Sequence, residues 1–196
     1  MNSSITLYKT NQISGRVKNL PSSKSISNRA IIIKALAGDT AELFNLSDAN
    51  DTRLMLELIS SENPVLDVED AGTTMRFLTA FKSISNQACI ITGTDRMKQR
   101  PIKILVDALR TLGAEIQYPE LEGFPPVRIL GFAGQKAREV TIRGDVSSQY
   151  ISALMMIAPN LPQGLLIRFE GKVTSRPYLE MTASLIRQFG ASVNFN

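Results

Sequence analysis

The chain has 196 residues, 43% of them apolar and 20% charged, enough for one large domain or two small ones with a real core. Its formal net charge of +4 is carried by scattered lysines and arginines without aromatic interleaving, too mild a bias for nucleic-acid binding by charge alone. It has no histidine and one cysteine, Cys89, which excludes a disulfide framework, a zinc site, a Ser-His-Asp triad and a Cys-His pair within these residues and fits a reducing, cytoplasmic setting.

The N-terminal MNSSITLYKTNQ has no apolar signal core, and nowhere does the chain approach the roughly eighteen consecutive apolar residues of a membrane span. Alternating or β-branched stretches at 4–8 and 12–18 predict two strands. LPSSKSISNRAIIIKALAG, Leu20 to Gly38, then predicts a helix over 27–37 whose mouth holds Ser22, Ser23, Ser25, Ser27, Lys24 and Arg29. A strand at 40–45 and a helix at 51–60 follow, with Asp48 and Asp51 read as N-cap acids of that helix, the alternative for Asp51 being a pair with a cation at a neighbouring mouth. DAGTTMRFLTAFKS predicts a helix over 72–84 that opens on Gly72, Thr73 and Thr74, with Arg76 one turn in. Next come a strand at 88–93 and the cationic stretch DRMKQRPIK, which leads into a helix over 101–112 with Pro101 at its first position. Strands at 114–118, 126–130 and 138–143 precede a helix over 147–158, opened by Ser147, Ser148 and Gln149. A strand at 164–170, a helix at 177–189 and a strand at 191–195 complete the pattern. Cys89, Met97, Met155 and Met156 read as core residues.

The order contains a repeat. RPIKILVDALRTLGAEIQ and RPYLEMTASLIRQFGASVN share an Arg-Pro start, an amphipathic helix, a Gly-Ala exit and a strand. The helices after the three Ser/Thr/Gly mouths are instead apolar nearly all round and belong inside a domain. One buried and one amphipathic helix, recurring with strands, predict several copies of a single α/β unit.

A helix N-terminus offers free N–H donors and about half a positive charge. Ordinary N-capping by Ser or Thr explains any one mouth. Three such mouths, two of them with cations, point to a small polyanionic ligand, which these features do not name. Of the cations in DRMKQRPIK, Lys98 and Lys103 read as solvated charge and Arg100 as aimed at a carboxylate or phosphate. Arg176, beside Ser175, repeats that Arg-Pro arrangement.

The stretches LPSSKSISNRA, DAGTTMRFLTA, RMKQRPIKILVDALRTLGA, GDVSSQYISALMMIAP and SRPYLEMTASLI, in this order, resemble the 5-enolpyruvylshikimate-3-phosphate synthases (3-phosphoshikimate 1-carboxyvinyltransferases). The resemblance implies transfer of the enolpyruvyl group of phosphoenolpyruvate to the 5-hydroxyl of shikimate 3-phosphate, with release of phosphate and without metal or organic cofactor. It implies that Lys24, Ser25, Arg29, Ser147, Ser148, Gln149 and Ser175 hold shikimate 3-phosphate. Lys24, Gly72 and Arg100 are implied to hold phosphoenolpyruvate, with Lys24 also the catalytic residue of this chain. The implied fold is α/β (α+β): repeated βαβαββ units with buried helices, forming one domain of a two-domain, inside-out α/β barrel. Members are usually monomeric cytoplasmic enzymes, with no nucleic-acid or membrane partner.

Four positions depart from the family pattern. Ser22 stands where the family has glycine, Asp70 where it has asparagine, and Phe77 where it has proline; the stretch from Arg53 to Asp70 is short, so the first repeat is expected to lack its strand pair. Residues 1–18 are expected to be a strand segment of the family's second domain, and 19–196 the N-terminal substrate-binding domain with an incomplete third repeat. The chain is therefore expected to be an N-terminal fragment that binds substrate without turning it over. Its partner would be the C-terminal domain of the same gene product, which in the family supplies an Asp and a Glu carboxylate. Two alternatives remain: a stand-alone anion-binding module, and an enolpyruvyl transferase with another acceptor such as UDP-N-acetylglucosamine.

Overall fold

In chain order, helix α1 (Lys24–Ala37) leads to α2 (Asn50–Ile59), strand β1 (Val65–Asp67), α3 (Gly72–Ser83), β2 (Cys89–Thr92), the one-turn α4 (Asp95–Lys98) and α5 (Lys103–Leu112). Then come β3 (Ala114–Gln117), β4 (Val127–Phe132), β5 (Glu139–Arg143), α6 (Ser148–Ile157), β6 (Leu166–Glu170) and α7 (Arg176–Gln188). The structure, a computed structural model, describes residues 4–12, 14–16, 18–38, 42–85 and 87–195. No helix among them is long and apolar enough to cross a membrane.

The strands form a four-stranded sheet of order β1-β2-β4-β3 and a two-stranded sheet of β5 and β6. β1 and β2 run parallel, and β4 is antiparallel to both β2 and β3. The run β1-α3-β2-α5-β3-β4 is thus one complete βαβαββ unit. The parallel pair β5-α6-β6 followed by α7 gives the first four elements of the next. Helices α1 and α2 are the corresponding pair of a preceding unit. Only residues 60–64 separate α2 from β1, which leaves no room for a strand pair between them.

Six helices pack into one layer with approximate threefold order. Inner helices α1, α3 and α6 touch one another, while α2 lies against α1 and α3, α5 against α3 and α6, and α7 against α6 and α1. Side-chain pattern sorts them. In α3 and α6 nearly every residue is buried, whereas α5 buries Leu105, Val106, Ala108, Leu109 and Leu112 and α7 buries Leu179, Thr182, Ala183 and Ile186. Spacings of three and four give the outer helices one apolar stripe each, so each can close a groove between two inner helices but cannot occupy the centre. Ile32, Met75, Phe77, Leu78 and Leu154 are fully buried, each such side chain contributing about 1.5–3 kcal/mol relative to exposure.

Several expected elements differ. The described residues within 4–8, 12–18, 40–45 and 191–195 form no strand, because none finds a partner edge for its backbone groups. Conversely β1, too short to show a pattern, forms because β2 offers it a parallel edge. Helix α5 starts at Lys103, so Pro101 is not at its first position. The Pro101 carbonyl accepts from Arg76 and Tyr150, and the Ile102 N–H is bonded to Gly123 O, which holds this segment out of the helix.

Candidate functional site

Cross-links between first turns bring the N-termini of α1, α3 and α6 to one end of the helix layer. Lys24 Nζ at the start of α1 is 3.1 Å from Asp51 Oδ1 in the first turn of α2. The Asp51 carbonyl accepts from Thr74 Oγ1 at the start of α3 (2.8 Å), and Gln149 Nε2 on α6 donates to Thr73 Oγ1 (3.1 Å). Capping is real at two of these mouths: Ser23 Oγ accepts from Ile26 N and Ser147 Oγ from Gln149 N. The α3 mouth has no side-chain cap, Ala71 holding that position. Its N–H groups are therefore the least satisfied from within the protein.

Gly72 and Arg100 are brought together. A Cβ at Gly72 would lie 2.5 Å from both terminal nitrogens of Arg100, so the absent side chain lets that guanidinium lie over the α3 mouth. Arg100 Nη1 also reaches the Asp70 carbonyl at 3.5 Å, while the Asp70 carboxylate accepts from the Thr94 hydroxyl. The loop carrying Arg100 is fixed from beneath. Arg76 donates to Gly72 O (3.1 Å) and to Pro101 O (3.1 Å), and the Tyr150 hydroxyl donates to the same Pro101 carbonyl at 2.6 Å. Arg76 is buried, and its pKa is lowered by that burial, with nearby Arg100 adding to the effect and Tyr150 opposing it.

Arg29 does not stand at the open mouth, as its place in the sequence suggests. Only 2% of it is exposed, and it donates from Nε to Thr182 Oγ1 (2.7 Å), from Nη2 to Ser152 Oγ (2.9 Å) and from Nη1 to Ser25 O (2.9 Å). Its guanidinium carbon lies 5.2 Å from the Phe77 ring centre and 5.8 Å from that of Tyr178. Phe77, the departure from the family's proline, is thus fully buried and forms the floor under Arg29. Burial pulls the arginine pKa down to about 10, with Tyr178 opposing; the group stays charged at neutral pH. Among the described residues no carboxylate neutralises it.

The other predicted residues are split in their settings. Ser147 is exposed, and Ser148, Gln149, Ser25 and Ser175 are half-buried near these mouths. Ser175 holds the N-cap position of α7 without capping it, so its hydroxyl is not used there. Asp51 is not an N-cap, since Ala49 precedes α2; its carboxylate serves Lys24. Lys98 pairs with Glu120 and Lys103 with Asp107, as solvated charges do. Arg176 pairs with Glu180 on its own helix.

Residue-by-residue reading passed over Ser152, Thr182, Tyr150 and Tyr178. Thr182 carries a faint signal, a hydroxyl inside the apolar stripe of α7. Two open hollows of about 480 and 520 Å³ lie elsewhere, one beside α1 and α2 and the other between α5 and β5, and neither is lined by a mouth residue. The site is a face with exposed Lys24, Ser147 and Arg100, backed by two buried guanidiniums.

The family model for EPSP synthase (3-phosphoshikimate 1-carboxyvinyltransferase) matches residues 7–61 and 57–196. A 3-phosphoshikimate 1-carboxyvinyltransferase of Bacteroides fragilis is 53% identical over 176 residues, 90% of this chain and 43% of that protein. Its counterpart in Photobacterium profundum is 41% identical over 216 residues, 97% of this chain and 50% of that one. A solved EPSP synthase from Acinetobacter baumannii superposes with a TM-score of 0.77 at 21% identity, covering 90% of this chain and 44% of the other, a likeness of fold. The chain spans about half the length of the curated relatives it matches.

Proposed function

This chain belongs to the EPSP synthase family, and we propose that it is the part of such an enzyme that holds shikimate 3-phosphate and one side of phosphoenolpyruvate. In the proposed reaction of the whole protein the 5-hydroxyl oxygen of shikimate 3-phosphate bonds to C2 of phosphoenolpyruvate. The bond from C2 to the phosphate-bearing oxygen breaks, and in the net exchange the hydroxyl proton leaves with that oxygen as inorganic phosphate. No step needs a metal or an organic cofactor.

The observation that carries this reading is Arg29, a buried guanidinium held, among the described residues, by neutral groups at the end where three helix N-termini meet. A buried charge is costly unless paired. A phosphorylated carboxylate would supply the missing partner. Lys24 would bridge the two substrates, with Asp51 fixing its ammonium. Ser25, Ser147, Ser148, Gln149 and Ser175 would take the phosphate and hydroxyls of shikimate 3-phosphate. Gly72 and Arg100 would take phosphoenolpyruvate at the uncapped mouth of α3, where free N–H groups and the helix dipole favour an anion.

The proposed partner is the C-terminal part of the same gene product, bringing the catalytic carboxylates, in a cytoplasmic and monomeric enzyme. Ile5, Leu7 and Tyr8, each exposed at close to nine-tenths (89%, 89% and 88%), are the apolar groups such a half would cover. Titrating shikimate 3-phosphate and phosphoenolpyruvate separately into the chain by calorimetry tests the assignment. Shikimate 3-phosphate is expected to bind more tightly, because most of its proposed contacts are here. Tighter phosphoenolpyruvate binding, or preference for a UDP-sugar, would overturn it.

A further inference from the structure

Arg29 is oriented by two hydroxyls where proteins ordinarily use a carboxylate. Nε and Nη2 form one side of the planar fork, the side that commonly receives both oxygens of an aspartate or glutamate. Here that side is filled by Thr182 Oγ1 at 2.7 Å and Ser152 Oγ at 2.9 Å, and the two oxygens are 3.0 Å apart. Thr182 and Ser152 are both fully buried, on α7 and α6 respectively.

Proton accounting fixes which way these hydroxyls point. Thr182 Oγ1 has one proton and lies 2.8 Å from the Tyr178 carbonyl, which can only accept. With that proton given to the carbonyl, the proton shared between the hydroxyls comes from Ser152. Thr182 then accepts from Ser152 and from Arg29 Nε, while Ser152 accepts from Arg29 Nη2. Both hydroxyls direct lone pairs at the guanidinium, and Thr182 has no bonding capacity left over.

The result differs from a salt bridge in one respect. A carboxylate on this side would orient the fork and cancel its charge; two hydroxyls orient it and leave the charge in place. Nη1 donates to Ser25 O, so three of the five N–H groups are used and two have no partner among the described residues.

We propose that Thr182, acting with Ser152, is a positioning residue for the anion site: it fixes the Arg29 fork in one orientation without neutralising it, so that the charge is kept for shikimate 3-phosphate. This role rests on the substrate assignment above. Thr182 does not touch the ligand; it acts through Arg29.

Thr182→Val keeps the shape and removes the hydroxyl, and Thr182→Ser restores it. Shikimate 3-phosphate affinity by calorimetry is expected to fall about tenfold or more in Thr182→Val and to return to within about threefold of the parent in Thr182→Ser. A structural role alone would not move the second readout, the Arg29 Nε–H signal in ¹H–¹⁵N NMR. That signal should be resolved and slow to exchange in the parent and in Thr182→Ser, and lost or averaged in Thr182→Val. Ser152→Ala should weaken binding in the same direction, which covers the case that Thr182→Val does not fold. Parent-like affinity and a parent-like Nε–H signal in a folded Thr182→Val would sink this role while leaving the substrate assignment intact. Absence of shikimate 3-phosphate binding to the parent chain would sink both.

Discussion

Arg29 and Arg76 lie about one turn inside neighbouring inner helices, and each reaches back to a carbonyl at its own helix mouth, Ser25 O and Gly72 O. Both are buried and both lie near aromatic rings, Phe77 and Tyr178 for the first and Tyr150 for the second. Their remaining bonds differ. Arg76 spends Nη2 on the carbonyl of Pro101, a fixed dipole belonging to the loop that carries Arg100. Arg29 meets two buried side-chain hydroxyls. A guanidinium tied to backbone carbonyls at both ends is a strut, and removing it frees the chain it joins. One held by hydroxyls is a charge kept in place, and removing it changes what can bind more than whether the protein folds.

The sharpest way to break this contrast is Arg29→Met. It should weaken shikimate 3-phosphate binding about a hundredfold or more, since two charge-assisted bonds of roughly 1.5–3 kcal/mol each are lost and a hundredfold corresponds to only ~2.7 kcal/mol. Thermal stability should be unchanged or raised, because replacing a buried charge by an apolar chain of similar length is often neutral or better. Calorimetry and a melting curve on the same sample check both halves, and a large loss of stability would make Arg29 a strut after all.

Arg76→Met should show the converse. Loss of two carbonyl acceptors' charged donor is expected to cost about 2 kcal/mol of stability, while shikimate 3-phosphate affinity stays within a few-fold. Denaturant unfolding followed by titration of the folded protein measures this. If affinity collapsed with stability untouched, the two arginines would not differ in kind.

Lys24→Met extends the contrast to an exposed cation. Its pair with Asp51 is solvent-accessible, Lys24 being 45% exposed at the side chain, and such pairs are worth about 0–1 kcal/mol. Melting should therefore barely shift, whereas affinity for shikimate 3-phosphate should fall about tenfold, or ~1.4 kcal/mol. Lost stability with intact binding would mark Lys24 as structural and move the anion elsewhere.

The smallest effect is expected from Tyr150→Phe, which removes one of the two donors to Pro101 O and leaves Arg76 in place. A loss of about 1 kcal/mol, seen as a lower denaturant midpoint at unchanged slope, would fit a shared strut. Additivity with Arg76→Met would contradict sharing, since residues on one acceptor should couple.

Much of this molecule follows from local pattern. The six longer helices were legible because their periods separate buried from amphipathic, and the stops at Gly38 and Gly113, both in left-handed conformation, are glycine signals. Ser23 and Ser147 cap as their residue type predicts. The motif residues Lys24, Gly72, Arg100 and Gln149 could be singled out because anion-binding chemistry is concentrated at helix N-termini, a property of the backbone that needs no tertiary knowledge. Strands were less legible. Segments 4–8 and 191–195 have strand-like alternation and form none, while Val65–Asp67 has no pattern and does, because a strand exists only where another edge completes its hydrogen bonds.

The sequence by itself determined which residue types stand at each mouth, the six longer helices and which of them must be central, but not the one-turn α4. Tertiary structure alone decided that Arg29 is buried and Arg100 exposed, that Lys24 is the cation Asp51 pairs with, and that Thr182 and Ser152 meet across α6 and α7. The physical reason is range. Capping, periodicity and helix dipoles act within a turn or two of chain, whereas the setting of a charge depends on which groups from distant segments share its surroundings. Thr182 is 153 residues from Arg29 along the chain and 2.7 Å from it in space.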